Sequence, residues 1–296
     1  MLTVGIYGFN ITKVTHFSFG TIFPVIKSAS EITKIMRIKT ELHLTAFLEL
    51  DIKDNNECRD IIFHLSAILS FIEQRPVSFG YALKKHETID NLDNDYPKVI
   101  TSTLPLVSNG IMIKEDYFAK NSRRYFIESA LNKIIIDKDH QFSLLIHKNT
   151  QVFINQTNYI DIKYYLLFSG LESIARQREN DLTSGIASVL YKYLKKFNFD
   201  IKQQDNKRPS HSLDIYASLR NALFHNGTYQ TPPLKRNGAI STFLLKDYYS
   251  IFRRLNCLVI LKEAGFDDGR INWDFVNFRY HFKHTNQVTS VTTYRG

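Results

Sequence analysis

A chain of 296 residues, 44% hydrophobic and 23% charged, can build one or two packed cores, and that balance excludes a disordered polypeptide. Its 38 Lys and Arg against 29 Asp and Glu leave a net charge of +9, a field that draws polyanions without naming one. The two cysteines, Cys58 and Cys257, lie far apart with no CxxC or Cys/His ligand spacing, which argues against a disulfide scaffold and a structural zinc site.

The first hundred residues read as strand-rich. Thr12 to Phe19 and Thr21 to Ile26 are dense in Thr, Val, Ile and Phe, with Gly20 as a turn between them. Glu41 to Asp51 alternates for part of its length, as a half-buried strand does. One helix is predicted here, over Cys58 to Gln74, from Ile61, Ile62, Leu65, Ile68, Leu69 and Ile72 at helical spacing, stopped by Pro76. Strand-like sequence resumes at Val77 to Leu83 and Lys98 to Leu104, around a polar turn at Asp90 to Pro97.

From about residue 116 the period becomes helical. Helices are predicted over Tyr117 to Ile136 (with Tyr125 and Phe126 on its apolar face), Phe142 to Phe153, Asp161 to Arg178 (with Ile162 and Tyr165 facing inward), and Thr183 to Phe197. A charged loop, Phe199 to Pro209, leads to a helix capped by Ser210 or Ser212 that runs to His225 and stops at Asn226-Gly227. Thr228 to Gly238 is expected as a loop, and Ser241 to Ala264 as a long apolar helix. The expected architecture is an α+β domain over residues 1–112 and an antiparallel helical bundle over 113–296.

The stretch Ser218-Leu-Arg-Asn-Ala-Leu-Phe-His-Asn-Gly227 carries the chemistry. Asn221 and His225, four apart, share a helix face, while Arg220 lies about 140° round from His225. Imidazole titrates near neutrality, so His225 suits acid/base work, and the guanidinium of Arg220 can grip two oxygens of a phosphate. Asn221 can orient the imidazole or touch the same phosphate. The basic pairs Lys207-Arg208 and Lys235-Arg236 flank this helix in sequence and are candidates to line an RNA groove. Tyr216 and Tyr229 are candidate base-stacking rings, whereas Phe224 is expected in the core.

This stretch resembles the signature of the HEPN superfamily, an Arg followed by a polar residue and, after a four- to six-residue spacer, a His. Its wording is close to the ApeA-like branch, in which a strand-rich domain precedes the helical one and an upstream apolar helix carries a Leu-Glu pair, as Leu171-Glu172 does here. The pattern covers roughly residues 138 to 265. The resemblance implies a metal-independent endoribonuclease, a toxin or anti-phage defence effector acting on tRNA or mRNA and leaving 2′,3′-cyclic phosphate ends. It also implies a homodimer that brings two motifs to one cleft, and a phage trigger or antitoxin as a further partner.

Other readings stay open. The bundle can serve as a non-catalytic RNA-binding or protein-interaction module, or as a DNA-binding regulator. Arg220 can pair with Glu172 as a structural ion pair or as support for the site, and His225 can merely cap its helix. His211 is expected as a solvated histidine at a loop edge. The pairs His140/His147 and His281/His284 have no clustered acid or cysteine to complete a metal site, so no metal or other cofactor is expected. With no basic stretch followed by an apolar one at the N-terminus and no run of eighteen apolar residues, neither a signal peptide nor a membrane span is expected, and the chain is expected in the cytoplasm.

Overall fold

The computed structural model describes residues 2–52, 54–102, 105–106, 110–114, 120–154, 159–199, 201, 203, 207–208, 211–236 and 238–274. Its architecture is α+β, and the chain divides into two compact units, Met1–Leu182 and Thr183–Gly296.

The first unit is built on an antiparallel sheet. Its strands are β1 (Leu2–Tyr7), β2 (Thr15–Phe17), β3 (Gly20–Pro24), β4 (Glu41–Leu50), β5 (Ser78–Ala82) and β6 (Val99–Thr101). They lie in the order β2-β3-β4-β1-β5, with β6 paired to the start of β4. β1 is a strand the sequence reading did not anticipate. It runs between β4 and β5, and Val4 to Tyr7 are all buried. With both faces covered, no period-two alternation announces it. A second addition is α1 (Ala29–Met36), capped by Ser28, whose hydroxyl accepts from the Glu31 N–H at 3.3 Å. Only Ile32 of this helix is buried, too little apolar surface to leave a helical period.

α2 (Asn55–Glu73) forms where the spacing of Ile61, Leu65, Ile68, Leu69 and Ile72 placed it. The Asp54 carboxylate caps it by accepting from the N–H groups of Asn56 and Glu57 at 2.7 and 3.2 Å. Helices α3 (Ser122–Ile136), α4 (Gln141–Ile154) and α5 (Ile160–Glu179) follow. The predicted beginning of α3, at Tyr117 and Phe118, lies outside the described residues. Tyr125, Ile162 and Tyr165, expected on apolar faces, are exposed instead.

The change of period near residue 112 is not where the compact units divide, because α3 and α4 pack on α2. Phe71 of α2 and Phe126 of α3 stack with ring centroids 5.4 Å apart, so these helices share a core with the sheet's own helix. α4 and α5 pack closely where Gly170 faces Leu145 and Lys148.

The second unit holds α6 (Ile186–Lys196), α7 (Leu213–Asn226), the hairpin β7 (Leu234–Arg236) and β8 (Ala239–Ser241), and α8 (Leu245–Glu263). The hairpin replaces part of the loop expected over Thr228 to Gly238. Tyr193 of α6 donates to the Glu263 carboxylate of α8 at 2.8 Å. Tyr216 of α7 is fully buried against Phe252 and Tyr248 of α8, at 4.9 and 5.5 Å between centroids. Among the described residues no helix is long and apolar enough to cross a membrane.

Candidate functional site

α7 buries Leu213, Ile215, Tyr216, Leu219 and Ala222. That choice of inner face turns Arg220, Asn221, Phe224 and His225 outward. These positions fall at i, i+1, i+4 and i+5, an arc of about 140° on the last turns of the helix. Asn221, Phe224 and His225 are exposed and Arg220 is half-buried, so none of the three motif side chains is sealed in a core.

The end of α7 is held firmly. Gly227 takes the left-handed conformation (φ 63°), and its N–H bonds the Leu223 carbonyl at 3.0 Å. Beyond it the chain is stapled to the start of α8: the Thr231 N–H donates to the Phe243 carbonyl and the Leu245 N–H to the Tyr229 carbonyl, both at 2.9 Å. His225 therefore sits in the last turn of a helix whose end is fixed.

The polar contacts within the arc differ from the expectation. Arg220 donates through a terminal nitrogen to the Asn221 side-chain oxygen at 3.0 Å, and its guanidinium lies 5.6 Å from the Phe224 ring centroid. Asn221 thus orients the guanidinium, and Phe224 supports it by a cation–π contact. Phe224 is 47% exposed, which overturns its assignment to the core. Tyr216, conversely, is core and presents no ring to a base; burial pushes its hydroxyl pKa well above the usual tyrosine value. Tyr229 is 51% exposed just past the helix stop.

The flanking basic residues gather at the other end of α7. Lys207 and Arg208 are exposed, and the Arg208 carbonyl accepts from the His211 N–H at 2.9 Å just before the helix begins. Ser210 lies outside the described residues, and Ser212 holds the N-cap position without a side-chain cap bond. Arg236 is 8% exposed and pairs with Asp214 of the first turn of α7 at 3.2 Å. Its guanidinium fastens the hairpin to the helix, while Lys235 beside it is exposed. By helical rise, Asp214 and His225 are about 16 Å apart.

Glu172 belongs to the first unit, on α5. Its carboxylate is bonded by Arg176 one turn further on, at 3.0 Å, with both side chains about one-fifth exposed. His211 is buried, where a solvated position was expected. In the first unit, Nδ1 of His64 and Nε2 of His147 approach to 3.1 Å, and Phe63 stacks on the His147 ring at 4.3 Å. His281 and His284 lie outside the described residues. Among the described residues no three His, Cys, Asp or Glu side chains are grouped to hold a metal.

The arrangement on α7 offers one imidazole, one oriented guanidinium and two exposed rings, a set that can engage a phosphodiester and the base beside it. Against protein-family models, curated proteins and solved structures, the chain finds no match.

Proposed function

We propose that this chain is a metal-independent endoribonuclease of the HEPN type, acting as a toxin or anti-phage defence effector in the cytoplasm. The observation that carries the reading is the shared, outward-facing arc of Arg220, Asn221 and His225 on the last turns of α7, with Asn221 and His225 exposed and Arg220 half-buried. Arg220 binds the scissile phosphate, held in place by Asn221 and Phe224. The ribose 2′-OH attacks phosphorus, the P–O5′ bond breaks, and the product carries a 2′,3′-cyclic phosphate. His225 performs one of the two proton transfers. The other is supplied by a second copy, so the reading requires a homodimer that brings two motifs to one cleft. Lys207, Arg208 and Lys235 add charge at the start of α7 for the RNA backbone. Arg236 contributes by fixing the hairpin, and Glu172 stands as a supporting residue only through the family resemblance.

The test is cleavage of end-labelled RNA in EDTA. Wild type cuts; His225→Ala and Arg220→Ala do not, at unchanged melting temperature, and a phosphatase-resistant 2′,3′-cyclic end marks the product. Equal cutting by all three proteins refutes the assignment. The combination of a cation with the exposed rings of Phe224 and Tyr229 also suits a module that binds RNA or a protein partner without chemistry. For RNA, that second reading predicts salt-dependent affinity, no cleavage, and little change in His225→Ala.

A further inference from the structure

We infer that the first unit carries a metal site: His64 of α2 and His147 of α4 together chelate one divalent late transition-metal ion, with water completing its shell. The site does not depend on any activity at α7.

The sequence sets His147 beside His140, whereas the fold pairs it with His64, 83 residues away on another helix. α2 and α4 pack on one another, and the two rings meet across that contact. Both histidines are half-buried, so solvent reaches the pair. Phe63, next to His64, lies nearly flat on the His147 ring, with 4.3 Å between centroids and 15° between planes. The two imidazole planes are inclined at 61°.

The distance between the facing nitrogens decides what they can hold. Nδ1 of His64 and Nε2 of His147 are 3.1 Å apart. An imidazole nitrogen sits about 2.0–2.1 Å from a bound zinc ion, so two on one ion are about 2.9 Å apart at a right angle and about 3.3 Å at the tetrahedral angle. The pair already stands at that bite, on two packed helices, and little reorganisation is needed. Without an ion the nitrogens share one N–H···N hydrogen bond. To admit the ion, the donor ring moves its proton to its outer nitrogen, and the two lone pairs replace two waters of the hydrated ion.

The surroundings support ligation. Asp60, one turn before His64 on α2, and His140, just before α4, are both exposed, and both act electrostatically on His64. A carboxylate beside a ligating imidazole orients it and raises its basicity. Among the described residues no third His, Cys, Asp or Glu is grouped with the pair, so the remaining positions belong to water. Two nitrogen donors suit Zn²⁺, Ni²⁺ and Cu²⁺, whereas Mg²⁺ and Ca²⁺ take oxygen, and Cu²⁺ stands first in affinity.

The experiment is calorimetric titration of the untagged full chain with Zn²⁺ and Mg²⁺. Zn²⁺ is expected to bind and Mg²⁺ is not. His64→Phe and His147→Phe should each weaken Zn²⁺ by at least about tenfold. His86→Ala, which removes an exposed histidine paired with Asp93, should leave it unchanged. At a hundredfold excess over the measured Kd, Zn²⁺ should raise the melting temperature of wild type by about 5–10 °C, and that of neither Phe variant. Wild type is also read directly, so that a variant that fails to fold does not decide the matter: Cu²⁺ bound to it should show two equatorial imidazole nitrogens by electron spin-echo spectroscopy. No Zn²⁺ binding, a Cu²⁺ signal with fewer than two imidazoles, or Zn²⁺ binding undiminished in both Phe variants, which marks an adventitious ion only, would each overturn the inference.

Discussion

The Glu73–Arg123 pair makes a stringent test of how the first unit is held together. The two side chains are 2% and 8% exposed, with 2.7 Å between charged atoms. Glu73→Gln keeps the shape and an acceptor for the Asn10 N–H, but it leaves the guanidinium buried without a counter-charge. Removing one partner of such a pair costs about 3–5 kcal/mol. Arg123 keeps its bonds to the Asn10 and Ile113 carbonyls, which places the expected loss near the lower figure, about 3 kcal/mol. For a unit of this size each kcal/mol lowers the melting temperature by about 2–4 °C, so the transition should fall by roughly 6–12 °C. Thermal melts followed by far-ultraviolet circular dichroism read this directly. Replacing both residues with Met should cost less than the sum of the single changes by at least about 1.5 kcal/mol, since the unpaired charge is gone in the double variant. A Glu73→Gln melt within about 2 °C of wild type, or single losses that add within about 0.5 kcal/mol, would refute the clamp.

At the hairpin, Arg236→Ala should destabilise the second unit by about 1–3 kcal/mol by stranding Asp214, whereas Lys235→Ala should change stability by less than about 0.5 kcal/mol and act only on RNA affinity; paired urea melts and filter binding separate the two. The His64–His147 contact predicts a pH dependence. Burial, and then the neighbouring His64, lower the His147 pKa to about 4; burial also lowers His64, opposed by Asp60 and aided by His140. Both folded values lie below the ordinary histidine value near 6.5, so the unfolded chain binds more protons in that window. The stability of the neutral pair is complete above about 6.5 and is lost as the pH falls towards about 4. Urea melts between these limits should show that slope, and His147→Phe should flatten it; an unchanged slope would exclude the pair as its source.

How much of this was legible in the sequence depended on how much of each element's surface is buried. α2, α5 and α7 show themselves because one face of each meets a core, and β4 partly alternates for the same reason. β1 hides because both faces are covered, α1 because nearly none of it is. The hairpin β7–β8 was masked by Pro232 and Pro233, which argue for a loop yet end just before Leu234. Within the candidate site, spacing put Asn221 and His225 on one face and Arg220 about 140° round from His225, but it did not say which side of the helix is buried. It mistook Phe224 for core and Tyr216 for surface because both are aromatics on one amphipathic helix. The partners that decide between them, Tyr248 and Phe252, lie a helix away in the sequence. Arg236 was misjudged for a related reason: a basic dipeptide does not reveal that one of its members has a carboxylate waiting on another element.

The polarity of α7 sets a length scale for any strand that uses all of it. Basic side chains sit where the helix begins and the imidazole where it ends, about 16 Å along the axis, with the guanidinium between them. If α7 is the nuclease site proposed above, binding energy gathered at the helix start would reach the reacting phosphate only through a chain long enough to run between them. The rigid rod would then act as a ruler, favouring substrates of several nucleotides over dinucleotides without reading a single base.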